Sequence, residues 1–202
     1  MIIIFSGLLL RVALTIYNIE IDTLPGADND AANFHNDAIV YSLYLEIEDW
    51  LLEYKWEHDI GVIYGPFLGY IYNFFGTDSM YISGLLSCFV WLLSALVFRK
   101  IMLKIKYEKK NINLAILIYT FLIPTSIIYT SITLREVYML LFFNLFALSI
   151  INIYYESDIK KIFFNTIIIL FTSFLLLILH RGNLYFFVIF IPLMIIYYFI
   201  NK

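Results

Sequence analysis

The sequence predicts an all-α polytopic membrane protein with about six transmembrane helices. Its 202 residues are 62% hydrophobic, with a mean hydropathy of +0.86. The apolar residues form repeated runs of about twenty, the length that crosses the ~30 Å hydrocarbon core of a bilayer. We therefore expect one transmembrane domain over residues 1–202. The lone cysteine, Cys88, excludes an internal disulfide.

The distribution of charge predicts the orientation in the membrane. Eleven of the 16 acidic residues lie between Glu20 and Asp59, where Lys55 is the single base. Six of the 13 basic residues lie between Arg99 and Lys110. By the positive-inside rule, the basic segment is cytoplasmic and the acidic loop, at about residues 20–78, lies outside. We expect a cell inner (plasma) membrane protein with a cytoplasmic N-terminus.

The segment 61–76 decides whether this orientation agrees with the number of helices. It is apolar but only 16 residues long, and Gly65, Pro66 and Gly69 interrupt it. If it crossed the membrane, the next helix would put the basic segment outside. We therefore interpret it as an interfacial or re-entrant helix inside the outer loop.

The first transmembrane helix is expected over about residues 2–20. It has no basic n-region and no small-residue cleavage site, which indicates a retained helix and not a signal peptide. The other five are expected at about residues 79–99, 112–131, 135–155, 162–179 and 183–200. An amphipathic helix over about 40–54 is also predicted, because apolar residues recur there at helical spacing opposite an acidic face.

This topology brings polar residues from distant parts of the chain to one membrane face. They are Asp28, Asp30, His35, Arg135, Glu136, His180 and Arg181. Polar groups that converge at one face are a requirement for a binding or catalytic site.

The stretch "TLRE" combines a helix start with charge. Thr133 and Glu136 have the spacing of a capping box, and Arg135 lies in the first turn. A guanidinium beside a helix N-terminus favours phosphate, because the cation and the free N–H groups face the same anion. For Glu136, simple helix capping is an equally good interpretation.

His180 and Arg181 repeat this pattern at the next outer junction, where an interfacial histidine and a snorkelling arginine are the alternative. Arg11 lies inside the first helix, where an unpaired charge costs at least ~2.5 kcal/mol. We expect Arg11 to face the other helices and to anchor polar groups there, as a structural residue.

Asp28 and Asp30 follow the first helix in a turn-forming stretch, "PGADND". One alternative is that Asp30 only caps the next helix. A carboxylate here could instead accept a proton from an attacking hydroxyl while the arginines hold a departing phosphate, with His35 as a further substrate contact. No Cys/His cluster has metal-binding spacing. No cofactor is predicted, and a divalent metal stays open.

The layout resembles the N-terminal module of the C-type (GT-C) glycosyltransferases, which are related to protein mannosyltransferases. The shared features are a first helix, an acidic residue just beyond it in a long outer loop, and an aromatic segment with proline, "GPFLGYIYNFFG". The resemblance implies transfer of a sugar, with inversion, from a polyprenyl-phosphate carrier, with Asp28 or Asp30 as base. Members usually have more helices, so the chain is expected to be an N-terminal fragment or truncated form of a longer enzyme, a split enzyme or an inactive relative.

We therefore expect a membrane glycosyltransferase. Its partners would be a polyprenyl-phosphate-linked sugar donor, a glycan, lipid or protein acceptor, and membrane lipids. The alternative is a nonenzymatic or split-subunit protein of glycan assembly, such as a polymerase or flippase component. Nucleic-acid binding is excluded, because the main basic cluster is a short loop that topology alone explains.

Overall fold

The computed structural model describes residues 1–25, 27–43, 63–105, 108–180, 182–185, 187 and 189, and over these residues the regular structure is helical. The elements are α1 (Ile2–Glu20), a π-helical turn (Ala27–Ala31), α2 (Ala32–Ser42), α3 (Tyr64–Phe75), α4 (Met80–Lys104), α5 (Lys109–Phe121), α6 (Pro124–Tyr129), α7 (Glu136–Tyr155) and α8 (Ile159–Leu179).

Among the described residues, four helices are long and apolar enough to cross a membrane: α1, α4, α7 and α8. Their bounds lie within a few residues of four of the expected spans. The chain is therefore a helical membrane protein. The expected helix at 183–200 falls almost wholly outside the described residues, as does the amphipathic helix at 40–54 beyond Leu43.

The expectation of one continuous helix over 112–131 was wrong. The structure has two shorter helices there, α5 and α6, with Ile123 in an extended conformation between them. Pro124 is the cause, since proline has no N–H to donate within a helix and disfavours helical geometry at the residue before it. The same residue is well suited to the first position of α6.

The helix α3 occupies most of the segment 61–76. Its 12 residues extend about 18 Å, which is well short of the ~30 Å hydrocarbon core. It ends where Gly76 adopts a left-handed conformation, with φ of 64°. It packs on α2, and the two backbones approach closely at Gly69: a Cβ built there would lie 2.6 Å from the Tyr41 Cβ.

The helix α4 contacts α1, α5 and α7. Hydrogen bonds join the Ser83 side chain to Thr133 and that of Ser94 to Asn144, and Lys104 donates to Asn152. The first two pairs are 50 positions apart in the sequence and the third is 48 apart. This nearly constant separation shows that α4 runs parallel to α7 and the segment before it.

The antiparallel helix α8 is joined to α7 by a bond from Asn152 to Asn165, and Tyr81 of α4 donates to Glu20 of α1. The C-termini of α1 and α8 therefore lie at the same end as the N-termini of α4 and α7. We call this the acidic end, because it holds Glu20, Asp22, Asp30, Asp78 and Glu136. The opposite, basic end holds Arg99, Lys100, Lys104, Lys109, Lys110, Lys160 and Lys161.

Candidate functional site at the acidic end

A cavity of about 160 Å³ opens at the acidic end, between α1, the π-helical turn, α4 and the segment that leads into α7. Its lining is neutral, made of hydroxyl and amide side chains with small or apolar ones between them. The lining residues are Thr15, Asn18, Ile19, Thr23, Ala27, Ala31, Ala32, Met80, Gly84, Ser131, Ile132 and Thr133.

Hydrogen bonds hold the polar walls of this cavity in place. The Thr15 hydroxyl donates to the Ser131 carbonyl at 2.7 Å, and Asn18 Oδ1 accepts from the Leu24 N–H at 2.8 Å. Thr133 Oγ1 lies 2.7 Å from Ser83 Oγ. The predicted capping box is therefore wrong: α7 begins at Glu136, with Arg135 as its N-cap and no side-chain cap. The Thr133 hydroxyl bonds α4 instead.

The π-helical turn that carries Asp28 and Asp30 packs directly on the segment before Arg135. Leu24, Ala27 and Ala31 form a buried apolar cluster with Ile132 and Leu134. Asp30 is exposed, and Ala31, not Asp30, is the N-cap of α2. The alternative interpretation of Asp30 as a simple helix cap is therefore wrong. Its side chain is exposed, next in sequence to Ala31, which lines the cavity.

Arg135 and Glu136 lie at the start of α7. The Arg135 side chain is half-buried, with Nε 3.8 Å from Glu136 Oε1 and its guanidinium carbon 5.5 Å from the centre of the Phe34 ring. Phe34 belongs to α2, so this cation–π contact joins α7 to the helix that follows the π-helical turn. Arg135 is thus held beside the segment that bears Asp30.

His35 is half-buried between α2 and α3, where its Nδ1 lies 2.8 Å from the Tyr72 hydroxyl. Burial lowers the pKa of His35 from 6.5, and the Asp78 carboxylate opposes this shift. Burial therefore favours the neutral imidazole at pH 7. The sequence contains no signal that singles out Tyr72 as its partner.

His180 is exposed and follows the last residue of α8, at the same end as Arg135. Arg181 lies outside the described residues. The structure thus brings six of the predicted site residues to the acidic end: Asp28, Asp30, His35, Arg135, Glu136 and His180. The π-helical turn, which carries the two aspartates, packs on the segment that leads to Arg135 and Glu136, and His35 lies in the helix that follows this turn.

Arg11 lies deeper, fully buried between α1, α4 and the break between α5 and α6. Its Nε donates to Thr130 Oγ1 at 2.7 Å, and both terminal nitrogens donate to the Thr120 carbonyl at 3.3 Å. The guanidinium carbon lies 3.6 Å from the centre of the Trp91 ring. These contacts are those of a structural anchor. They hold Thr130, which directly precedes the cavity-lining Ser131.

Sequence reasoning missed Thr15 and did not predict that Asn18, on the same helix face as Arg11, and Thr133, expected to be a helix cap, line a cavity. A signal was present in α1: Arg11, Thr15 and Asn18 follow one another at four and three positions, which puts three polar residues on one face of an apolar helix. In a membrane helix such a face points to other helices or to a polar cavity.

Among the described residues, no group of three or more His, Cys, Asp or Glu side chains is placed to hold a metal ion. Searches by sequence and by structure found no matching protein family, no similar curated protein and no similar solved structure. The chemistry of the acidic end is therefore the basis for assigning a function.

Proposed function

We propose that this protein is a membrane glycosyltransferase that transfers a sugar from a polyprenyl-phosphate carrier to an acceptor at the acidic end. One observation carries the proposal: the turn that bears Asp28 and Asp30 packs against the segment that leads into Arg135, beside a neutral polar cavity. A carboxylate, a guanidinium and a hydroxyl-lined space are the groups that such a transfer needs.

In the proposed reaction, the acceptor hydroxyl oxygen attacks the anomeric carbon of the sugar. The bond from that carbon to the phosphate oxygen breaks, and its electron pair leaves with the carrier phosphate. Asp28 or Asp30 accepts the hydroxyl proton. Arg135, with the N–H groups at the start of α7, stabilises the charge that develops on the phosphate. The cavity holds the sugar, because neutral hydroxyl and amide groups bind sugar hydroxyls without a charge preference.

The proposed membrane arrangement has the acidic end outside and a cytoplasmic N-terminus, in the plasma membrane, with a GT-C-like fold. The broken helix α5–α6 would form the third of six spans, and residues 183–200 the sixth. His35, Glu136, His180 and Arg181 would contact the donor or the acceptor. The charge asymmetry between the two ends supports this orientation.

Transfer activity of the purified protein in vesicles tests the proposal, with radiolabelled polyprenyl phosphate-glucose and polyprenyl phosphate-mannose as donors. Loss of a general base typically costs a factor of about 10² to 10⁴, so we expect Asp28→Asn, Asp30→Asn or the double variant to lose activity on that scale. Asp22→Asn is the matched control, because Asp22 is an exposed carboxylate at the same end.

Arg135→Gln separates carrier binding from proton transfer. We expect it to weaken binding of unmodified polyprenyl phosphate, whereas the double aspartate variant keeps that binding. Full transfer activity in both single variants and the double aspartate variant contradicts the role of Asp28 or Asp30 as the base. If the wild-type protein transfers neither sugar and Arg135→Gln still impairs carrier binding, the nonenzymatic function in glycan assembly replaces this proposal.

A further inference from the structure

The basic end contains a lysine that is positioned by other side chains. The ammonium of Lys104, in the last turn of α4, donates to Asn152 Oδ1 of α7. Asn152 in turn donates to Asn165 Oδ1 at 2.9 Å, and Asn165 donates to the Lys161 carbonyl at 2.7 Å. This chain of amides fixes the Lys104 ammonium between α4 and α7.

The ammonium retains capacity to bind an anion. An ammonium has three N–H donors, and among the described residues one of them is accepted, by Asn152. Lys104 is half-buried, so part of its side chain is open to a further acceptor from the surface. A doubly or singly charged oxygen group fits this requirement.

The charge around Lys104 favours an anion from outside the protein. The described residues of the basic end include seven bases but only three acids: Glu108, Glu156 and Asp158. Glu156 is paired with Lys161 at 3.2 Å, and Asp158 caps α8 by accepting from the Lys160 N–H. Most of the positive charge is therefore available to other molecules.

Neighbouring aromatic residues indicate the depth of Lys104 in the bilayer. Tyr154 and Tyr155, one turn or less beyond Asn152, are 75% and 51% exposed. Exposed tyrosines at the end of a membrane helix typically lie at headgroup level. Lys104 therefore lies where the phosphates of the lipids are, and not in bulk water.

We propose that Lys104 binds the phosphate of an anionic phospholipid where the last turn of α4 meets α7, and that the other bases of the basic end attract the lipid without contacting its phosphate. Basic pockets between membrane helices bind anionic headgroups in this way. The site is independent of the proposed sugar transfer, because it lies at the opposite end of the helices.

Native mass spectrometry of the whole protein tests this site, after equilibration with equal amounts of phosphatidylglycerol and phosphatidylcholine. We expect the wild-type protein to retain phosphatidylglycerol preferentially, and Lys104→Gln to reduce that preference roughly fivefold, the factor for one lysine near a charged surface. Lys104→Arg keeps the charge and should keep the preference. Lys100→Gln, at an exposed position of the same helix, should change it less than twofold.

Two results overturn the proposal: equal retention of both lipids by the wild-type protein, which needs no variant to fold, or an equal loss of preference in Lys100→Gln and Lys104→Gln. The second would indicate diffuse attraction by the whole basic end.

A further experiment adds inorganic phosphate to the protein in phosphatidylcholine alone. If free phosphate raises thermal stability as much as phosphatidylglycerol does, the site binds soluble phosphate and the lipid assignment is wrong.

Discussion

The guanidinium of Arg11 donates to the carbonyl of Thr120, at 3.3 Å from each of its terminal nitrogens. In a continuous helix this carbonyl would accept from the N–H of residue 124, but that residue is Pro124, which has no N–H. A charged side chain from the first helix thus satisfies a carbonyl that the sequence leaves without its helical partner. The break between α5 and α6 and the buried Arg11 therefore depend on each other: the break frees the Thr120 carbonyl, and Arg11 binds it.

Replacing Arg11 should therefore destabilise the protein through Thr120. Arg11→Met leaves a buried carbonyl without a partner, which costs about 1–3 kcal/mol. Pro124→Ala restores an N–H at the position that Thr120 needs, so Arg11→Met should be less harmful in that background. Thermal unfolding of the four proteins in detergent gives the coupling free energy. Strict additivity of the two substitutions would show that the Thr120 carbonyl does not link them.

The close approach of α2 and α3 should make Gly69 sensitive to a single methyl group. A Cβ at Gly69 would lie 2.6 Å from the Tyr41 Cβ and 2.9 Å from the Ala38 carbonyl oxygen. We expect Gly69→Ala to lower the free energy of unfolding by about 1–3 kcal/mol, the usual cost of overpacking. Phe74→Ala is the control on the same helix, since Phe74 is 73% exposed. An equal effect of both substitutions would contradict close helix packing at Gly69.

The stability of the protein should decrease as the pH falls below about 6.5. Burial lowers the pKa of His35 in the folded state, so the unfolded chain binds a proton more readily in that range and is favoured there. His35→Gln should remove this part of the pH dependence, as measured by unfolding temperature from pH 7.5 down to pH 5. His180→Gln, at an exposed position, should keep the wild-type profile. A wild-type profile in His35→Gln would assign the titration to another group.

Cysteine accessibility should show that α3 does not cross the membrane. With Cys88 replaced by alanine, single cysteines at Asn33 and Thr77 lie before and after α3, and both positions are exposed. We expect an impermeant thiol reagent to label both from outside intact cells, and to leave a cysteine at Ser157, at the basic end, unlabelled. Labelling of Asn33 and Thr77 from opposite sides would mean that the segment crosses, and the proposed orientation would fail.

Hydropathy predicted the class of protein and four of its membrane helices within a few residues. This succeeded because transfer of apolar surface into lipid depends on composition and length, which a linear sequence contains. The charged stretches likewise indicated which segments would lie at which end. The prediction that the segment 61–76 does not cross rests on its length, on Gly65, Pro66 and Gly69, and on the positive-inside rule. The one error in the described spans, at 112–131, came from counting apolar residues across Pro124.

The partners of individual polar groups were decided by the tertiary structure alone. Thr133 has the spacing of a helix cap, yet its hydroxyl bonds Ser83 of α4. Arg11 reaches Thr120 and Thr130, more than one hundred positions away, and the cavity takes its lining from α1, α4 and two turns. Hydropathy is a sum over neighbours in the chain, whereas a hydrogen bond depends on which atoms packing brings within about 3 Å. The sequence by itself therefore determined that this is a helical membrane protein, and the packing of its helices decided where a polar site is formed.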